Sequence, residues 1–143
     1  MELRLLGATG LQVSPLGLGT VKLGRNQAVK YPRAFELPSD RDALTLLEIA
    51  WDLGINFLDT APAYGTSEER LGRLLRHCRR EWVIVTKVGE AFQDGVSHFD
   101  FSAAATRISV ERSLRRLAVA TLDALLIHSD GDDLAILDRE TVL

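Results

Sequence analysis

Apolar residues along this chain follow two different periods. Short runs of consecutive apolar positions fall at residues 16–19, 55–59, 82–86 and 122–127. Between them lie longer stretches in which apolar positions recur every three or four residues, the helical spacing. Ser39 or Asp40 can cap the first helix, whose apolar set is Leu44, Leu47, Ile49, Ala50, Trp51 and Leu53, with Gly54 as its end. Thr66 followed by Glu69 has the form of a capping box ahead of Leu71, Leu74 and Leu75. Residues 102–117 read as a third helix, with Val110, Leu114 and Leu117 on one side and Arg112, Arg115 and Arg116 on its wet face. Upstream, residues 3–6 and 11–14 flank Gly7-Ala8-Thr9-Gly10 and predict a hairpin. Residues 20–38 and 88–101 read as loops, and a further helix is expected near Arg139, after a turn at Gly131-Asp132-Asp133.

Strands alternating with helices predict βα units and a parallel sheet. The strand runs are almost wholly apolar, as parallel strands covered on both faces require. In such sheets ligands bind at the carboxyl ends of the strands.

Composition narrows the classes. The 143 residues are 46% hydrophobic and carry 17 Lys+Arg against 20 Asp+Glu, a net charge of −3. A mildly acidic chain without a basic block is not built to bind nucleic acid by charge. No apolar stretch approaches the length of a membrane helix, and the start Met1-Glu2-Leu3-Arg4 does not read as a signal peptide. One cysteine, Cys78, rules out an internal disulfide framework and fits a reducing, cytoplasmic setting.

The strand ends then stand out. The first run ends in Gly19-Thr20, the second in Asp59, the third is followed by Lys87 and the fourth by His128. Tyr64 lies in the loop just past Asp59. Buried Asp and Lys at neighbouring strand ends need each other, because an unpaired buried charge is costly. A Lys cation beside a Tyr hydroxyl favours the phenolate, and the expectation is a Tyr64 pKa lowered towards neutrality. Such a Tyr is a general acid for an oxygen that gains negative charge, and a neutral His can donate a hydrogen bond to the same oxygen. No Ser or Cys nucleophile stands beside a base. The group suits protonation of a carbonyl oxygen while hydride reaches the carbon, and side chains cannot supply hydride, so a nicotinamide cofactor is implied. Taken singly, Asp59 is as readily a loop cap, Lys87 a rim charge, His128 a structural hydrogen bonder and Tyr64 packing. The functional reading rests on their coincidence at adjacent strand ends.

Other features carry less. Asp59, His98 and His128 are spaced 39 and 30 residues apart, which matches no local metal motif, and no metal is assigned. His77-Cys78 lies among Arg73, Arg76, Arg79 and Arg80 at a helix end, where cations are favoured. Gly17 and Gly19 lack the third glycine and following helix of a dinucleotide fingerprint.

The segment from Gly54 to Gly72, with Asp59-Thr60-Ala61-Pro62-Ala63-Tyr64-Gly65 at its centre, resembles the signature of the aldo-keto reductases. Val83-Ile84-Val85-Thr86-Lys87, Gly17-Leu18-Gly19-Thr20, and Ser113 to Leu117 followed by Leu122 to His128 are similar to other elements of that family. The resemblance implies an α/β fold, the TIM (β/α)8-barrel, and NADPH-dependent reduction of aldehydes or ketones. It maps a catalytic tetrad onto Asp59, Tyr64, Lys87 and His128, with Tyr64 the acid, Lys87 tuning it, Asp59 holding Lys87, and His128 orienting the carbonyl. Gly19 and Thr20, with Asp59, would lie near the nicotinamide.

Strand-end markers fall 40, 28 and 41 residues apart. Eight units of that size need about 290 residues, against about 250 for a typical barrel. The expectation is therefore a half-barrel: a hairpin over residues 1–14, then four βα units over residues 15–143, the last incomplete, within a longer enzyme. The alternative is a non-catalytic module that associates with itself or a partner through its open sheet edges. Tyr31 and Phe35, in the loop over residues 20–38, are candidates to face an apolar substrate.

Overall fold

The computed structural model describes residues 1–76 and 80–138. The expectations at His77, Cys78 and Arg79, and those from Arg139 onward, lie outside the described residues. Among the described residues, eight short strands and five α-helices follow one another in the order β1 Arg4–Leu5, β2 Gln12–Val13, β3 Leu18–Gly19, α1 Val21–Gly24, α2 Asp40–Asp52, β4 Phe57–Asp59, α3 Ser67–Leu75, β5 Val83–Val88, β6 Glu90–Gln93, β7 Val96–Phe99, α4 Ala103–Leu117, β8 Ala124–Ile127 and α5 Asp133–Asp138. A 3-10 turn, Pro62–Tyr64, sits between β4 and α3.

The four apolar runs form one parallel sheet in the order β3-β4-β5-β8. The register sets Gly19 beside Asp59, Asp59 beside Val85, and Lys87 beside Leu126. The β1-β2 hairpin is fastened beneath the sheet. Asn56, just before β4, donates to the Gln12 carbonyl (2.9 Å) and accepts from the Ser14 amide (2.7 Å). It therefore caps the end of the strands remote from Asp59. The fold is an α/β half-barrel, with helices against one side of four parallel strands.

Helices α2, α3 and α4 cover the sheet through Leu47, Leu58, Leu71, Leu74, Ile84 and Leu117, all buried. Ser39 caps α2 by accepting from the Asp42 amide, and Ser102 caps α4 by accepting from the Ala105 amide. In α2 the inward face is Ala43, Leu47 and Ala50, whereas Ile49 and Leu53 are exposed. Their apolar character had placed them in the stripe, but 100° per residue turns them away from Leu47.

Several local expectations are corrected. Thr66 makes no side-chain cap bond on α3. Glu69 instead reaches Arg116 (3.1 Å), and Glu68 turns fully inward to accept from the Thr86 hydroxyl (2.7 Å). Arg116 is thus not a wet-face residue: it ties α4 to α3. Residues 88–101 are not a loop but the β6-β7 hairpin, turned at Asp94-Gly95. The stretch 20–38 begins with the short helix α1. Helix α5 starts at Asp133, with the Asp132 carboxylate accepting from the Ala135 amide (3.3 Å), earlier than expected.

Helices α3 and α4 meet where Gly72 faces the carbonyl of Arg116; a Cβ there would lie 2.0 Å from that oxygen. Gly72→Ala should lower stability in urea unfolding by about 1–3 kcal/mol through overpacking. Gly19→Ala, whose Cβ would meet nothing within 4 Å, should stay within about 0.5 kcal/mol of the parent. Equal midpoints for the two variants would contradict this packing.

Candidate active site

Each side chain of the strand-end group is delivered by its own backbone element. Asp59 is the last residue of β4. Lys87 lies near the end of β5, two residues past Val85, the register partner of Asp59. Tyr64 ends the 3-10 turn after β4. His128 follows β8, with its amide donating to the Val88 carbonyl (2.7 Å). The strands thereby bring all four together, as the spacing predicts.

Lys87 is the centre. Its ammonium donates to both oxygens of Asp59 (2.8 and 2.7 Å), to the Thr60 carbonyl (3.1 Å) and to the Tyr64 hydroxyl (3.1 Å). The Lys87 side chain is only 11% exposed, so these acceptors replace its water. The Tyr64 hydroxyl also makes a long hydrogen bond to Asp59 Oδ1 (3.3 Å). The His128 ring meets Tyr64 edge-on, with centroids 5.9 Å apart.

The Tyr64 pKa runs opposite to the expectation. Burial pushes the phenol above its ordinary value of 10.0, and the Asp59 carboxylate adds to that push. The Lys87 hydrogen bond and charge act downward but do not prevail. The physical reason is that burial of the phenol outweighs the pull of Lys87, which the Asp59 carboxylate also partly offsets. Tyr64 is held protonated. His128 is pushed below 6.5, chiefly by burial; Lys87 and Arg25 add to this, while Glu90 and Asp59 oppose it.

Tyr64 and His128 open onto a cavity of about 760 Å³, walled also by Val21, Arg25, Tyr31, Glu90 and Phe99. Tyr31 faces it; Phe35 instead packs edge-on against Tyr31 (5.5 Å), and Lys22 lies over both rings. Gly19 leaves the end of β3 bare. Thr20 differs from the expectation of cofactor contact: it is fully buried, donates to the Asp59 carbonyl (2.8 Å) and accepts from Ser67 (2.8 Å). Its hydroxyl braces β4 from beneath and is closed to a ligand. Among the described residues no group of three or more His, Cys, Asp or Glu is placed to hold a metal ion.

Sequence reasoning missed Glu90 and Arg25. Glu90 Oε2 lies 2.9 Å from His128 Nδ1, and Arg25 lies 3.7 Å from Glu90 while stacking on Phe92 (3.6 Å). An acid two residues past the last buried strand residue, inside Val88-Gly89-Glu90-Ala91, was the available signal.

A parallel half-barrel with a Lys-Asp pair and a protonated Tyr at its strand ends defines a class, and comparison with known proteins gives the same one. The model of the aldo/keto reductase family matches residues 15–141, and the chain belongs to that family. It is similar to an aldo-keto reductase structure from Pseudomonas aeruginosa, at 61% identity and a TM-score of 0.87, over 98% of this chain and 52% of that one. The holo form of an aldo-keto reductase from Bacillus halodurans matches at 30% identity and a TM-score of 0.73, over 99% and 48%. The L-galactose dehydrogenase of Arabidopsis thaliana is 39% identical over 133 residues, 90% of this chain and 38% of that protein. The chain thus spans about half the length of these structures and less of the curated relative. No helix among the described residues is long and apolar enough to cross a membrane.

With Tyr31→Phe, Tyr64 becomes the sole tyrosine, and its phenolate absorbance should titrate with a midpoint above the ordinary value of 10.0. The folded state holds this proton more tightly than the unfolded chain. Its contribution to stability is therefore whole below about pH 10 and fades as pH rises through the folded value. Adding Lys87→Met should move the titration further upward, since the opposing cation is lost. A midpoint below 10 in the parent would overturn this account of the site.

Proposed function

We propose that the chain carries the proton-donating half of a nicotinamide-dependent carbonyl reductase, acting on aldehydes or ketones. The observation that carries this reading is the Tyr64 hydroxyl, 3.1 Å from the Lys87 ammonium and facing a cavity. As a carbonyl carbon is reduced, its oxygen gains charge and takes the Tyr64 proton. The phenolate left behind faces Lys87, which stabilises it; Asp59 holds Lys87 in place, and burial, with a smaller push from Asp59, keeps the resting phenol neutral. Water then restores the proton.

The residues present fit the redox end of a nicotinamide. The site offers a proton donor and no hydride source, and Gly19 leaves the strand end open beside Asp59, whose side chain is 35% exposed. Gly19, by its bare backbone, and the open edge of Asp59 would lie against the ring; Thr20 would act only by bracing Asp59. When bound, the cofactor supplies the hydride that no side chain can. NADPH is the form we assign, on the family resemblance. A soluble cytoplasmic setting follows from the same reading.

A second reading, self-association through the open sheet edges, is favoured by Leu125 and Leu126 on β8 and Leu134 and Leu137 on α5, all more than 40% exposed. It leaves the buried Lys87 pair without a role, so we rank it second.

Tyr64→Phe should lower carbonyl reduction, read by consumption of NADPH, by about 10²–10⁴-fold, the usual contribution of a general acid. Cofactor affinity, read by fluorescence titration, should stay unchanged. Parental turnover in Tyr64→Phe would exclude Tyr64 as the acid.

A further inference from the structure

We infer that Arg25 is a positioning residue that builds the substrate wall of the cavity: its guanidinium clamps the loop carrying Tyr31 to the turn carrying Tyr64 and to the β6-β7 hairpin, and does not itself bind the substrate. The consequence for substrate rests on the proposed reductase reading; the clamp does not.

An arginine in a cavity wall is ordinarily free to pair with an anionic group of a ligand. Arg25 is committed elsewhere. Each of its three guanidinium nitrogens donates to a backbone carbonyl: Nε to Gln27 (2.9 Å), Nη2 to Ala28 (2.9 Å) and Nη1 to Ala63 (2.9 Å). The same group lies over the Phe92 ring (3.6 Å) and stands 3.7 Å from Glu90 Oε1, which Ser97 holds by donating to it (2.6 Å). The Arg25 side chain is 10% exposed.

These contacts join three segments far apart in the chain. Ala63 precedes Tyr64 in the 3-10 turn. Glu90 and Phe92 lie on β6. Gln27 and Ala28 begin the loop that runs on to Tyr31. The backbone sets Arg25 at this junction. Gly24, just before it, packs on the Tyr64 carbonyl and the Ser67 amide, where a Cβ has no room, and its own carbonyl accepts from the Thr66 amide (3.2 Å).

The loop needs holding. Ala28 sits at φ +50, a left-handed conformation that an alanine adopts only when its surroundings impose it. The two donations from Arg25 fall on the carbonyls of Gln27 and Ala28, on either side of that bend. Past the bend, Val29 and Tyr31 line the cavity with Tyr64, and Lys22 fixes the Tyr31 ring from outside (4.4 Å). A lysine at position 25 keeps the charge but has no planar fork to reach three carbonyls.

The test uses the full chain with meta-fluorotyrosine at its two tyrosines, read by fluorine NMR near neutral pH and assigned with Tyr31→Phe. In Arg25→Lys and Arg25→Met the Tyr31 signal should shift or broaden. Reduction of benzaldehyde and of its para-carboxylate should both show KM raised by about tenfold, the size of one lost hydrogen bond to a charged group, with kcat within about threefold of the parent. In the parent itself the Arg25 Nε–H should exchange slowly with water. Fast exchange there overturns the clamp whether or not either variant folds, and so does an unchanged Tyr31 signal in a folded variant. A rise in KM confined to the carboxylate would make Arg25 a substrate binder and overturn the inference. An unchanged KM beside a moved Tyr31 signal would overturn its consequence for substrate. If the parent reduces neither aldehyde, the reductase reading fails alone, and exchange and fluorine signals still decide the clamp.

Discussion

An ammonium group withdrawn from water has to find acceptors in the protein, and Lys87, on β5, finds four within hydrogen-bond distance at the end of β4, on the residue after it and on the 3-10 turn. That requirement orders the rest of the site. Two acceptors belong to Asp59, so β4 has to end within reach of Lys87, and the parallel register supplies this by pairing Asp59 with Val85, two residues before Lys87 on β5. A third is the Thr60 carbonyl, which fixes the chain direction as it leaves β4. The fourth is Tyr64, which is brought back over Lys87 by the 3-10 turn, its ring 4.7 Å from the ammonium.

The buried hydroxyls beneath the pair serve the same end. Thr20, Thr60 and Ser67 form a chain of hydrogen bonds with the Asp59 carbonyl, linking β3, β4 and the start of α3. Glu68 and Thr86 link α3 to β5 in the same layer. These contacts make the strand ends rigid relative to one another. The outcome is a phenol whose proton is kept by burial and by Asp59, with a cation placed to receive the phenolate. Proton retention at rest and stabilisation after transfer come from the same three side chains.

Much of this was legible in the sequence because it depends on period and spacing. Apolar runs separated by helical stretches gave the strand order, and Asp59, Lys87 and His128 followed from where those runs stop. What escaped depended on contacts between distant segments. Thr20 reads as a rim residue until Ser67, 47 residues away, is seen to close its hydroxyl. The sign of the Tyr64 shift depends on how deeply the phenol is buried against the pull of Lys87, which spacing alone does not state. The β6-β7 hairpin was a different kind of miss. Asp94-Gly95 between Glu90-Ala91-Phe92-Gln93 and Val96-Ser97-His98-Phe99 carries an Asp-Gly turn signal flanked by paired strands. Reading it as a loop also hid Glu90, the residue that faces His128.

The account stands on Asp59 and Lys87 behaving as one unit. The direct measurement is a double-mutant cycle on urea unfolding with Asp59→Asn, Lys87→Met and the combined variant. Each single variant should strand a desolvated charge that the double variant does not, giving a coupling energy of about 0.5–3 kcal/mol. Losses that add to within about 0.3–0.5 kcal/mol would mean that the two groups are independent, and would contradict the claim that their pairing organises the site.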